Sequence, residues 1–219
     1  MDVVIEFDGV EGERSSLRWA YPVSFQIPRG GAHVIRTRSA YSAPLMRLCL
    51  GFSDPRQGRV MVHGKEPSKL ARTEIRDLRR RMGCMLDPDG LVANMTVRMN
   101  LVVPLVFASG LTFEKAVEQV TNILDLTRLE PYAELRPAAL TAEVRQTVAL
   151  ARALCPQPPL LVLENPLASI DHRETRRLMS LVRMQAETML IATDRKDGVL
   201  HEFADAVWEL DEDGFRRAA

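Results

Sequence analysis

The sequence predicts an α/β fold carrying a helical insertion, on three observations. The first third of the chain is rich in short strand patterns. The middle holds amphipathic helices. The last third alternates continuous apolar runs with helical patterns, as parallel sheets covered by helices do.

The elements follow in order. Residues 2–7 alternate in part, and Val23, Phe25 and Ile27 alternate strictly, which predicts a half-buried strand. The run 28–31 (Pro-Arg-Gly-Gly) is a turn, and residues 33–37 are a short strand. Residues 44–50 are apolar and compact, with Pro44 suited to a first helical turn and Gly51 to the cap beyond the helix. Glycines bound a strand within 58–64. Residues 68–81 alternate in charge and are predicted helical. Thr112 is a plausible N-cap for a helix through 126 whose stripe is Phe113, Ala116, Val117, Val120, Ile123 and Leu124. A second amphipathic helix covers 141–154. Residues 159–163, 188–192 and 205–210 are strands, all three reading as buried, and 173–185 is the helix between the first two.

Composition narrows the class. The 219 residues balance 29 basic against 29 acidic side chains, and 46% are hydrophobic, so neither disorder nor a nucleic-acid grip is expected. Folding at this length buries roughly 70% of the unfolded chain's surface, enough for one domain with a subdomain. The longest apolar runs, 101–108 and 158–163, fall far below the ~18 residues that span a bilayer. The acidic start lacks the basic flank of a secretory signal, and three distant cysteines (Cys49, Cys84, Cys155) do not suit a disulfide framework. A cytoplasmic protein is expected, and any membrane work would need something else to hold it there. The histidines (His33, His63, His172, His201) lack ligand spacing and are assigned to surface or structure.

Several stretches carry a family likeness. PPLLVLENPLASID (158–171) resembles the Walker B and D-loop segment of ABC-transporter ATPases. LTAEVRQTVALARAL (140–154) is similar to their signature helix, residues 79–105 to the Q-loop segment, and 190–214 to the switch-histidine strand. Residues 23–31 and 45–64 match the flanks of the phosphate-binding loop. The likeness covers nearly the whole chain in family order. The runs 95–105 and 143–154 look closest to ATPases of lipid-trafficking (Mla/Mce-type) transporters. It implies a P-loop NTPase-like core with an N-terminal antiparallel β subdomain and a helical subdomain insertion: one domain over 1–219, with 1–85 and 155–219 as core and 86–154 as Q-loop segment and helical part.

The same likeness places the family's chemistry on altered residues. A working loop reads G-x-x-x-x-G-K-[ST], its glycines aiming amides at phosphates, its lysine neutralising them and its hydroxyl holding Mg²⁺. Here the glycines fall on Arg36, Ser39 and Tyr41, the lysine on Ser42, and the Ser/Thr pair on Ala43 and Pro44. Proline has no N–H to offer. Arg36 or Arg38 could supply charge instead, against the plainer reading of solvated loop arginines. The Walker B aspartate becomes Glu164 and the catalytic glutamate Asn165, which cannot accept a proton. The Q-loop glutamine falls on Asp87, with Asp89 beside it: a new cation site or a solvated turn. The switch histidine falls on Thr193. The signature is Leu140, Thr141, Ala142, Glu143 and Val144, with Glu143 suited to cap the helix end that binds phosphate elsewhere. The family's adenine-stacking aromatic has no match at the usual distance. Trp19 and Tyr21 lie nearer, with core packing as their expected role.

What the resemblance therefore implies is an ATPase subunit without a catalytic residue, metal or cofactor, with Mg·ATP retained only if the site is divergent rather than lost. The expected partners are an integral-membrane permease and a second cassette, identical or not, on the cytoplasmic face of the inner membrane. The candidate interface residues are Met82, Met85, Leu91, Met95 and Met99, whose methionines suit an adaptable surface or ordinary core filling, together with the D-loop residues Ser169 and Asp171.

Overall fold

The computed structural model describes residues 2–13, 18–86, 89–195, 198–212 and 214–218. Among these, the chain forms two sheets. Strands β1 (Val3–Gly12), β2 (Arg18–Pro28) and β4 (Arg59–Val62) make an antiparallel sheet in the order β2-β1-β4. The second sheet has the order β5-β6-β7-β3-β8-β9, built from β3 (Gly31–Thr37), β5 (Met82–Met85), β6 (Leu160–Glu164), β7 (Thr188–Thr193), β8 (Ala206–Asp211) and β9 (Gly214–Arg217). It is parallel throughout except for β9, which returns antiparallel on β8. The helices are α1 (Ser39–Cys49), α2 (Arg72–Arg80), α3 (Val97–Ser109), α4 (Phe113–Thr127), α5 (Ala142–Leu154) and α6 (His172–Gln185).

The apolar runs of the parallel strands are explained by burial on both faces. Leu160 and Val162 of β6 face the layer holding α1 and the antiparallel sheet, whereas Leu161 and Leu163 face α3–α6. Leu190 and Ala192 of β7 divide from Met189 and Ile191 in the same way. Strand β2, with one face free, keeps its alternation: Val23, Phe25 and Ile27 are buried while Ser24 and Gln26 are exposed. Phe7, Phe25 and Phe215 stack at 4.6 and 4.5 Å and join the two sheets.

Capping follows the sequence in part. Thr112 accepts from the Lys115 amide at 3.4 Å and Thr96 from Met99 at 3.2 Å. Two predictions change. Helix α1 starts at Ser39, five residues before Pro44, so Pro44 sits inside the helix rather than in its first turn. The ring cannot donate to the carbonyl of residue 40, and its buried contacts against the core hold the turn in place. Phe113 leads the predicted apolar stripe of α4 yet is 54% exposed, standing at the first position of the helix. Gly51, at φ +63°, ends α1, and a Cβ there would lie 2.8 Å from the Pro67 ring. Strand β5 carries no sequence signal of its own: methionine and glycine are weak strand formers. Its place is set by packing, since a Cβ on Gly83 would lie 2.2 Å from the Ala153 carbonyl of α5.

Candidate functional site

The carboxyl ends of β3, β6 and β7 meet at the N-terminus of α1, the place where open α/β sheets bind ligands. One residue, Arg38, separates β3 from α1. The amides of Tyr41 and Ser42 both donate to the Arg38 carbonyl, at 2.9 and 3.0 Å, so the segment aligned with a phosphate loop is already helix. Tyr41 is buried, Ala43 half-buried and Pro44 buried. Ser42 is fully buried, and its hydroxyl donates to Glu164 Oε1 at 2.9 Å across 122 residues of sequence. Ser39 donates to Asp194 Oδ2 at 2.5 Å.

The positions at the ends of β6 and β7 are tied to one another. Asn165 is buried with φ +41°, a left-handed conformation that asparagine tolerates. Its amide donates to the Ala192 carbonyl at 2.8 Å, and its Oδ1 accepts from the Asp194 amide at 2.9 Å. Thr193 is buried, and its hydroxyl oxygen accepts from the Arg195 amide at 3.1 Å. Each of these side chains therefore serves a neighbouring backbone. Asp87 lies outside the described residues.

Arg36 and Arg38 are solvent-exposed, 43% and 61% at the side chain, and ion-paired. Arg36 pairs with Glu209, and Arg38 with Glu212 at 2.8 Å. Arg216 adds contacts to Glu209 at 2.8 Å and Asp211 at 2.6 Å. Arg36, Arg38, Glu209, Asp211 and Arg216 line a cleft of about 450 Å³ beside the end of β3. Among the described residues, no group of three His, Cys, Asp or Glu is placed to hold a metal ion.

At the start of α5, Leu140 is buried, and Thr141 is the N-cap, accepting from the Val144 amide at 3.4 Å. Glu143 lies exposed in the first turn beside Ala142, at the helix end where a carboxylate is favourable, while the side-chain cap itself is the Thr141 hydroxyl. Asp89 accepts from Arg145 at 3.1 Å. Ser169 and Asp171 are exposed, and Asp171 also caps α6 through the Glu174 amide at 2.9 Å.

The methionine surface needs correction. Met82 and Met85 are buried, one in each core, because β5 is enclosed by α5 and by the layer above the sheet. Leu91, Met95 and Met99 are half-buried. Trp19 packs in the core against Phe7, as expected, whereas Tyr21 is 58% exposed. A feature the sequence reading missed lies between α2 and α3: a groove of about 320 Å³ lined by Arg76, Arg79, Arg80, Val103, Pro104 and Phe107, the last 78% exposed. Arg79 donates to the carbonyls of Leu50 and Gly51, both at 2.8 Å, and lies over the Phe52 ring; burial lowers its pKa from the ordinary arginine value. The helical spacings 76/79/80 and 103/104/107 were the available signal.

Comparison with known proteins agrees with this architecture. A family profile described as ABC transporter matches residues 22–168. The arginine transport ATP-binding protein ArtP of Escherichia coli (strain K12) is 30% identical over 191 residues, 84% of this chain and 78% of that protein. The methionine import ATP-binding protein MetN 2 of Burkholderia mallei (strain ATCC 23344) is 33% identical over 177 residues, 80% of this chain but 44% of that protein, so this chain spans less than half its length. The dimeric ATP-binding cassette MJ0796 bound to ADP and Pi superposes with a TM-score of 0.86 at 20% identity, covering 97% of this chain and 98% of that one. For cbiO1 from Clostridium perfringens, part of the cbiONQ transporter complex, the values are 0.78 and 22%, over 100% and 88%. At these identities the structural likeness speaks for the fold alone.

Proposed function

The chain belongs to the ABC transporter ATPase family, and we propose that within it this subunit keeps the packing of a cassette without its nucleotide chemistry, serving a structural or regulatory role in a transport complex. One observation carries the reading: the amides of Tyr41 and Ser42 are spent on the Arg38 carbonyl while the Ser42 hydroxyl is spent on Glu164. A triphosphate needs curled backbone amides and a lysine at that place. Here the amides run along a helix, the lysine is replaced by a buried hydroxyl, and Asn165 cannot take a proton from water. The residues present do not fit Mg·ATP. Arg36 and Arg38 are engaged with Glu209 and Glu212, which weighs against their replacing the lysine.

The partners in this proposal are an integral-membrane permease and a second cassette, identical or different, at the cytoplasmic face of the membrane. In the family's dimer one chain's phosphate loop faces the other's signature. With both halves altered, this chain would impair both composite sites of a mixed dimer. The permease is assigned to the α2–α3 groove, whose arginine rim and exposed Phe107 suit an amphipathic helix. A lipid cargo rests only on the likeness of 95–105 and 143–154 to lipid-trafficking cassettes. The named relatives favour an amino-acid importer.

Thermal unfolding with Mg·ATP tests the central claim. A ligand at 100 times its Kd adds ~2.7 kcal/mol, or about 5–10 °C for a domain of this size. No shift and no phosphate release are expected. A shift of that size, or steady release from the purified chain, overturns the reading. Loss of permease co-purification in Phe107→Asp, with the fold intact, is the expected result for the groove.

A further inference from the structure

Helix α5 is fastened through one face to two segments outside it. Arg145 donates from Nε to Asp89 Oδ2 at 3.1 Å and from Nη1 to the Leu140 carbonyl at 2.9 Å. Two turns further along, Arg152 donates to the carbonyls of Gly90 and Asp89 at 2.8 and 2.9 Å. Between them Gln146 Oε1 accepts from the Ser169 amide at 2.8 Å. The 89–90 turn is part of the chain's passage from β5 into the helical layer, and Ser169 lies in the loop that leaves β6. So the helix that starts at the altered signature holds both the entry to the helical layer and the loop beyond the sheet. At its other end it is pressed on β5, where Gly83 leaves no room for a Cβ.

We propose that Asp89, Arg145, Gln146 and Arg152 form a latch that holds the helical layer in one orientation against the sheet, with or without nucleotide. One half-exposed ion pair alone holds little. Here two guanidinium groups close on one two-residue segment, so it cannot swing out without breaking three bonds together. The exposed edges at Ala142 and Ser169 then keep a constant separation across a cavity of about 180 Å³ that also borders Glu164. The latch does not depend on whether the phosphate site is lost.

Hydrogen exchange of the whole chain, resolved by peptide, tests it. Asp89→Asn and Arg145→Met should each speed exchange in α3 and α5 by ~10-fold, the scale of one charge-assisted bond. The double variant should go no further than Arg145→Met alone, because that change already removes the contact Asp89→Asn weakens. Peptides of β6 and β7 should not change. The wild-type rates in α3 and α5 should be equal with and without millimolar Mg·ATP. Unchanged helices in every variant, additive effects, or sheet and helices loosening together would each overturn the latch, as would a nucleotide-dependent rise in α3 and α5. Gln146→Ala, which leaves the ion pair intact, should loosen only the start of α5 and the Ser169 loop. If that variant changes neither, the latch is refuted independently of how the charge variants fold. Nucleotide protection confined to α1 would instead count against the lost phosphate site and leave the latch standing.

Discussion

Replacing Ser42 by alanine isolates the bond between α1 and the end of β6. Ser42 is fully buried, and its hydroxyl lies 2.9 Å from Glu164 Oε1 and 3.2 Å from the Ser39 carbonyl. A hydroxyl has one proton, and the carboxylate is the stronger acceptor. Alanine removes that donor from a carboxylate that is itself buried. A hydrogen bond to a charged group contributes about 1.5–3 kcal/mol net, while alanine returns up to about 0.5 kcal/mol of helix propensity. The expected loss is therefore about 1–2.5 kcal/mol, or roughly 3–8 °C in midpoint. Urea unfolding should show a lower midpoint concentration at unchanged slope. Glu164→Gln keeps an acceptor of the same length, and combined with Ser42→Ala it should show coupling of about 1 kcal/mol in a double-mutant cycle. A Ser42→Ala change under about 0.5 kcal/mol, with no coupling to Glu164→Gln, would show that the bond contributes nothing and refute the argument.

Asn165→Glu should also destabilise. It places a longer side chain at φ +41° and removes the acceptor for the Asp194 amide, a cost of about 2 kcal/mol readable in the same urea assay. Joining it with Ser42→Lys should give no phosphate release, because the first turn of α1 and Pro44 still deny the backbone amides that a phosphate needs; a colorimetric phosphate assay decides. Asp205 sets part of the acid limb. The Arg183 guanidinium, helped by the Ala32 amide, holds its carboxyl at about 2. A depressed carboxylate stabilises the fold fully above its unfolded value near 3.8 and loses that contribution as pH falls through about 2. Asp205→Asn should thus lower stability at neutral pH and flatten its decline between those values, measured by urea midpoints across the range; an unchanged acid limb would refute the assignment.

The elements legible in the sequence were those whose signal is local. The stripe of α4 below its first turn, the alternation of β2 and the doubly buried runs of β6 and β7 each state their surroundings through period alone. The departure of the phosphate-loop residues from a lysine-and-glycine pattern was equally plain. What those residues do instead was not. That Ser42 meets Glu164, that Asn165 ties β6 to β7, and that Arg36 and Arg38 find Glu209 and Glu212 all depend on strand order, which brings together residues up to 174 positions apart. Met82 and Met85 illustrate the same limit. Their composition fits a surface or a core equally, and only the placement of β5 beneath α5 buried them. The order and period of the residues thus carried the α/β scaffold. The tertiary structure alone decided which new bonds fill the space, because hydrogen bonds and ion pairs act over a few ångströms and follow proximity in space rather than along the chain.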